Sequence, residues 1–210
     1  RFNGVEINSS FYRPHRASTY ERWALSVPDD FRFALKMPKE VTHVRRLVGA
    51  DDEVERFIAA SAALGNKRDV LLVQLPPSLS YDASTVTEFF TRLRARYAGR
   101  IACEPRHASW FTGVADAALE ALHVARVAAD PQPPGAPFAP GGWPGFAYWR
   151  LHGAPRMYYS AYDDARLEEI AATINSAPAP AWCIFDNTAF GAATMNALAI
   201  VASAVNLPAV

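Results

Sequence analysis

The stretch "DVLLVQL" at residues 69–75 is apolar except for Asp69 and Gln74. A run of this kind is typical of a parallel strand that is buried on both of its faces. The same pattern predicts seven short strands along the chain, at residues 4–8, 31–36, 70–75, 101–104, 124–129, 146–151 and 182–185.

Helical patterns lie between most of these strands. Apolar residues recur at helical spacing in 54–64, 86–97 and 167–174, and an apolar last helix is predicted at about 191–205. The tetrapeptide "STYE" at 18–21 fits a capping box, which predicts a further helix start. Alternating strands and helices predict an α/β fold, and seven such units fit a TIM-type (β/α) barrel that forms a single domain over 1–210. A complete barrel has eight strands, so we expect an N-terminal strand to be missing or divergent.

Composition favours an intracellular globular protein. The 210 residues are 50% hydrophobic, and 21 lysines and arginines balance 21 aspartates and glutamates. With no excess of either charge, the chain has no general attraction for a membrane surface or for nucleic acid, and nucleic acid is therefore a less favoured partner. No apolar run is long enough to span a bilayer. Cys103 and Cys183 lie in apolar strand-like runs, which predicts reduced core thiols and a cytoplasmic location.

The segment at 130–145 interrupts the repeating pattern. It contains six prolines and four glycines, which are too many for a helix or a strand. We therefore expect a loop that follows a strand and lies at the barrel's carboxyl-terminal face. It would serve there either as a lid or as a plain surface excursion.

Each predicted strand delivers a polar residue at or just beyond its carboxyl end. In a parallel barrel these ends share one face, so we expect the residues to converge on a pocket. Each residue alone also has a structural explanation, such as a salt bridge or a hydrogen bond to loop backbone. The residues are Glu6, Asn8, Tyr12, Lys36, His43, Gln74, Glu104, Arg106, His107, Asp130, Arg150, His152, Asp186 and Asn187.

The residue types in this set predict a metal-free enzyme for a small anionic or polyhydroxylated substrate. A phosphate or carboxylate would be held by Lys36, Arg106 and Arg150. The expected general base is Glu104 or Glu6, and His107 or His152 would act as acid or base. Lyase, isomerase and hydrolase chemistry all fit this inventory. Further substrate contacts are expected from Asn8, Tyr12, His43, Asp186 and Asn187.

Two other functions fit the same residues. A metal-dependent phosphodiesterase, by analogy with endonuclease IV, would bind zinc or manganese, although the neighbouring cations favour an anionic ligand instead. Its candidate ligands are Glu6, Glu104, His107, His152 and Asp186. A non-catalytic ligand-binding or sensor barrel would use the same pocket. The sequence contains no phosphate-binding loop, zinc-protease helix or serine-hydrolase motif.

Six ordered segments resemble the signature blocks of the DUF72 (YecE-like) family, whose activity is unassigned. They are "VEINSSFY" (5–12), "FRFALKMPKEVTH" (31–43), "LLVQLPPS" (71–78), "EPRHASWF" (104–111), "YWRLHG" (148–153) and "FDNTAFGAATMNA" (185–197). The resemblance implies a TIM-type barrel, and all the candidate site residues except Asp130 fall in these blocks. Two departures are visible: the family's initial strand with a Gly-Trp motif is not present, and Asp186 stands where relatives commonly have asparagine.

Overall fold

The computed structural model describes residues 2–177 and 180–205. Within these ranges there are nine strands: β1 Gly4–Ile7, β2 Arg32–Lys36, β3 Arg68–Gln74, β4 Arg100–Glu104, β5 Val124–Arg126, β6 Ala128–Asp130, β7 Gly141–Gly142, β8 Ala147–Leu151 and β9 Ala181–Phe185. The α-helices of the same ranges are α1 Ser9–Tyr12, α2 Ala17–Leu25, α3 Asp51–Ser61, α4 Ala83–Arg96, α5 Gly113–Ala121, α6 Asp164–Asn175 and α7 Ala192–Val205.

The strands form two sheets that are almost entirely parallel. The first has the order β1-β2-β3-β4-β5-β7, in which only β7 is antiparallel, and the second has the order β6-β8-β9. The predicted strand at 124–129 is present as β5 and β6, separated by Val127, whose amide donates to Cys103 O at 2.8 Å. One length of chain therefore passes from the first sheet into the second. The result is a mixed α/β fold with mostly parallel strands, as the sequence predicts. Among the described residues no strand pairing joins β9 to β1, so a closed sheet is not observed.

Alternate residues of the strands face two different cores. Leu35, Leu71 and Ile101 belong to the large core that includes Val54 of α3 and Phe90 of α4. The residues on the other face form a separate cluster, which contains Ala34, Leu72, Ala102 and Tyr148. We call the face of this second cluster the inner face. Since side chains two residues apart in a strand share a face, the polar residues two positions further along these strands lie on the inner face as well.

The sequence signals for helix ends had mixed outcomes. The Asp163 side chain accepts from the Arg166 amide at 2.9 Å, so this aspartate caps α6. The predicted capping box at 18–21 is wrong, because α2 begins at Ala17 and has no side-chain cap. None of the helices within the described ranges is long and apolar enough to cross a membrane.

The Pro/Gly-rich segment contains a strand that its composition did not predict. Gly141 and Gly142 pair with Arg126 and Ala125 of β5. Gly142 has a φ of 63°, and a Cβ there would lie 2.6 Å from Val124 O. The backbone approaches β5 this closely because the position has no side chain, and the segment therefore folds back onto the sheet. Both cysteines are free; Cys103 is buried in the core, whereas Cys183 is only partly buried.

Candidate functional site

Strands from both sheets bring five charged or titratable residues together at their carboxyl ends. Glu6 comes from β1, Glu104 ends β4, and Arg150 lies in β8. His152 and Asp186 directly follow β8 and β9. Hydrogen bonds connect all five side chains, and we call this group the Arg150 cluster.

Arg150 is the centre of the cluster, and its side chain is only 1% exposed. Its Nη2 lies 2.7 Å from Glu6 Oε1 and 3.0 Å from Asp186 Oδ2, and its Nη1 lies 2.6 Å from Glu104 Oε2. The third nitrogen, Nε, donates to Glu6 Oε2 at 3.0 Å. Burial alone would lower the pKa of Arg150, but the three carboxylates together raise it well above its usual range.

Glu104 is fully buried and carries a negative charge that pairs with the Arg150 guanidinium. Burial favours the neutral acid, but the charges of Arg150 and Arg106 hold the pKa of Glu104 well below its usual range. The Glu104 carboxylate also pairs with Arg106 Nη2. A carboxylate held this firmly in its ionised form is a weak base, so the geometry does not favour the general-base role predicted for Glu104.

His152 lies between two carboxylates and a guanidinium. Its Nδ1 is 3.2 Å from Asp186 Oδ2, and its Nε2 is 3.3 Å from Glu104 Oε1. Arg106 Nη2 approaches the same Nε2 at 2.7 Å. A guanidinium can only donate, so Nε2 accepts this hydrogen bond and Nδ1–H is left to donate to Asp186. The ring is thereby fixed in one orientation.

Two side chains of the site keep a small exposure to solvent. The side chains of Asp186 and Arg106 are 17% and 12% exposed, in contrast to Glu104 and His152 at 0%. Asn8 lies beside Asp186, with Nδ2 3.5 Å from Oδ1. The pKa of Asp186 is lowered: burial acts against this shift, and the His152 hydrogen bond and the Arg150 charge outweigh burial. Asp186 is therefore an ionised and partly exposed carboxylate.

Lys36 ends β2 on the same inner face, two residues after Ala34. The residue is 9% exposed, and its Nζ lies 4.3 Å from the centroid of the Phe11 ring. Among the described residues nothing forms an ion pair or a hydrogen bond with this Nζ. Burial is the main cause that lowers the pKa of Lys36, and the charge of Arg150 adds to it, against the opposing charges of the three cluster carboxylates.

Besides Lys36, four of the residues predicted to act in catalysis or substrate binding form no hydrogen bond or ion pair with the cluster. His107 bonds to Ser109 at 2.8 Å, where it caps a short turn. Tyr12 is 78% exposed. His43 packs edge-on against Phe11 at 5.0 Å, so it approaches Lys36 only through that ring. Asn187 is fully buried and donates to Asn196 Oδ1 at 2.9 Å, which holds α7 to the loop after β9.

Two tyrosines near the cluster were missed by sequence reasoning. The Tyr148 hydroxyl donates to Glu6 Oε2 at 2.7 Å, and this residue lies two positions before Arg150 on the same face of β8. Period-2 spacing alone could have identified it. The Tyr158 ring lies edge-on to His152, with centroids 5.7 Å apart. It lies in an irregular loop with no sequence signal of its own.

The arrangement of the carboxylates also bears on whether the cluster could bind a metal ion. The carboxylates of Glu6, Glu104 and Asp186 all direct oxygens at the Arg150 guanidinium, so a cation already occupies the space between them. No group of three or more His, Cys, Asp or Glu side chains suited to holding a metal occurs in the part of the chain that the structure describes.

Comparisons with known proteins agree on one family. A family model described as "Protein of unknown function DUF72" matches residues 1–208. The chain is 31% identical to the UPF0759 protein YunF of Bacillus subtilis over 116 residues, which cover 51% of this chain and 40% of that protein. It is 33% identical to the UPF0759 protein YecE of Escherichia coli over 75 residues, which cover 36% of this chain and 28% of the relative. These matches span less than half of each relative's length.

Two solved structures have the same fold. A DUF72 family protein of Thermotoga maritima superposes with a TM-score of 0.83 at 25% identity, and the match covers 98% of this chain and 85% of that one. A DUF72 family protein of Enterococcus faecalis gives a TM-score of 0.83 at 20% identity, with 99% and 86% covered.

Proposed function

The chain belongs to the DUF72 family of unknown function, and we propose that it is a metal-free enzyme with a TIM-type barrel. Its substrate would be a small polyhydroxylated or anionic molecule bound at the carboxyl ends of the strands. Support for the barrel comes from the order of the parallel strands and from the contact between β1 and β9. A Cβ built on Gly4 would lie 2.8 Å from the Trp182 ring, so the two open edges approach each other closely.

The observation that carries the functional proposal is the charge arrangement at the rim of the Arg150 cluster. Burying ions costs several kcal/mol for each ion that remains unpaired. Arg150 and its carboxylates satisfy one another, as a purely structural network would. Lys36 does not fit that description, because it is a buried cation beside the network that has no partner among the described residues.

The same contacts indicate which side chains would meet a ligand. All three nitrogens of Arg150 already donate to carboxylates, so this residue is less suited to the anion clamp that the sequence predicts. Lys36, Arg106 and Asp186 lie at the accessible side. Because their charges have both signs, they suit a ligand with hydroxyl groups, or one negative charge, better than a highly charged anion.

Ligand-induced stabilisation of the purified chain tests this function. Thermal unfolding would be followed with neutral sugars and polyols in one panel and hydroxy acids and sugar phosphates in another. A ligand at 100 times its Kd stabilises by about 2.7 kcal/mol, which corresponds to about 5–10 °C in a domain of this size. NMR spectra of a stabilising ligand over time then show whether it is converted.

Two matched variants locate the binding. Lys36→Met removes the unpaired cation and is expected to abolish the thermal shift, whereas Lys39→Met changes an exposed lysine nearby and should leave the shift intact. The proposal fails if neither panel stabilises the protein, or if a stabilising ligand is bound equally well by both variants. A ligand that binds without conversion would establish a binding protein instead of an enzyme.

A further inference from the structure

Lys36 differs from the other lysines of the chain in a chemically important way. The sequence contains three, Lys36, Lys39 and Lys67. Lys67 is also buried, but its Nζ donates to two backbone carbonyls at 2.8 Å and lies 3.4 Å from an Asp29 oxygen. Lys39 is exposed. Lys36 alone of the three combines burial with an amine that has no acceptor or counter-ion among the described residues.

The surroundings of Lys36 lower the pKa of its amine, which increases the fraction of free amine. Its Nζ faces the Phe11 ring, and removal from water favours the neutral form of a lysine. Burial and the Arg150 charge, in that order, lower the pKa of Lys36, while Glu104, Glu6 and Asp186 oppose the shift. Desolvation and a neighbouring cation are the two means by which proteins make a lysine nucleophilic at neutral pH.

We propose that Lys36 is a nucleophile that forms an imine with the carbonyl carbon of a small hydroxylated aldehyde or ketone. The inference rests on the proposed function and narrows its substrate class to carbonyl compounds. It assigns Lys36 a covalent step in place of the anion contact expected from the sequence.

The step needs no oxidant or reductant. The lone pair of Nζ attacks the carbonyl carbon, and the π electrons of the carbonyl move to its oxygen, which takes the proton released from nitrogen. One further proton converts the hydroxyl of this carbinolamine into a leaving water. The overall change is amine plus carbonyl plus one proton giving a protonated imine plus water, and the proton comes from solvent.

The Arg150 cluster suits the product of this step. A protonated imine carries a positive charge at the place of the amine. Three carboxylates, of Glu6, Glu104 and Asp186, act electrostatically at that position. Their negative charges oppose the destabilising effect that burial and the Arg150 charge have on this cation. Asp186, which is partly exposed, can in addition accept a hydrogen bond from a substrate hydroxyl.

Reductive trapping tests the inference directly. The purified full chain would be incubated at pH 7 with dihydroxyacetone or glyceraldehyde, each with sodium cyanoborohydride, and then digested for mass spectrometry. The lysine side chains and the amino terminus are the amines that can react, so each adduct is assigned to one peptide. At low probe concentration we expect the Lys36 peptide to carry most of the label from at least one probe.

Three variants show whether the adduct depends on the Lys36 amine itself, on the charge at this position or on correct folding. Lys36→Arg keeps the cation and Lys36→Met removes it, and both should lose the adduct at this peptide. Lys39→Met should keep it. If either Lys36 variant fails to fold, the distribution of label over the peptides of the wild-type protein still decides the question. Label confined to Lys39 and the amino terminus, or spread evenly over all amines, would overturn the inference.

Failure of this inference is distinguishable from failure of the proposed function. If Lys36→Arg still binds and converts a ligand found by thermal shift, the protein is an enzyme that does not form an imine at Lys36. If no ligand of any class stabilises the protein and no probe labels Lys36, both are wrong.

Discussion

Replacing Glu104 with glutamine tests whether the Arg150 cluster is an interdependent ion network. One carboxylate oxygen of Glu104 accepts from Arg150 Nη1 at 2.6 Å, and the other contacts Arg106 and His152. An amide has one oxygen where the carboxylate has two. In either orientation, therefore, the Glu104→Gln amide nitrogen faces a group that itself donates.

The expected cost follows from burial. The side chains of Glu104 and Arg150 are 0% and 1% exposed, and removing one partner of such a pair costs about 3–5 kcal/mol. The amide oxygen retains one hydrogen bond, worth about 1 kcal/mol, which places the loss near the lower end at about 3 kcal/mol. For a domain of this size the loss corresponds to a decrease of about 6–12 °C in Tm.

Urea unfolding followed by circular dichroism measures the loss, and the chain offers a matched control. Glu88 pairs with Arg92 at 2.7 Å on α4, but the Glu88 side chain is 60% exposed. The same substitution there, Glu88→Gln, is expected to cost no more than about 0.5 kcal/mol. Equal losses in the two variants would refute the view that buried pairing holds the cluster together.

Three further outcomes are expected. Since the folded-state pKa values of Glu104 and Asp186 are lowered, their contribution to stability is present above the unfolded pKa of about 4 and is lost as the pH falls through the folded values. The urea midpoint should therefore decrease as the pH is lowered below 4, and it should decrease less steeply in Glu104→Gln. Parallel plots of midpoint against pH for the two proteins would contradict this. Tyr148→Phe removes the hydroxyl that bonds Glu6 at 2.7 Å and should cost about 1.5–3 kcal/mol in urea unfolding, whereas a loss below about 0.5 kcal/mol would show that this bond adds nothing. Gly142→Ala places a Cβ 2.6 Å from a backbone oxygen at a positive φ and should lower the unfolding free energy by at least about 1 kcal/mol, and unchanged stability would place β7 elsewhere.

The strand register could be predicted because burial imposes a strict period of two. Each of Lys36, Glu104 and Arg150 follows a small or aromatic inner-face residue by two positions. Once the apolar runs are recognised as strands, this spacing alone places the three residues on one face at one end of the sheets. The same rule applied backwards from Arg150 also gives Tyr148.

Side-chain pairing could not be predicted in the same way. His107 and His152 both follow strand ends, yet His107 turns to the local Ser109, while His152 reaches residues from two other strands. Local hydrogen bonds compete with long-range ones, and the outcome depends on loop geometry that has no period. The short strand β7 was missed for a related reason: a two-residue strand made of glycines leaves no hydrophobic pattern.

The relation between Arg150 and Lys36 connects the network to the proposed chemistry. Three carboxylates next to a lone lysine would pair with it, raise its pKa and suppress its nucleophilicity. Arg150 engages all three of them through its own nitrogens, and its guanidinium charge also acts directly on Lys36 to lower the pKa of the amine. The carboxylates remain close enough to stabilise a cation that forms at Nζ, but they have no contact with the amine before it reacts. Arginine suits this central position because its planar guanidinium, unlike an ammonium, presents separate nitrogens to several carboxylates at once and stays charged at any physiological pH.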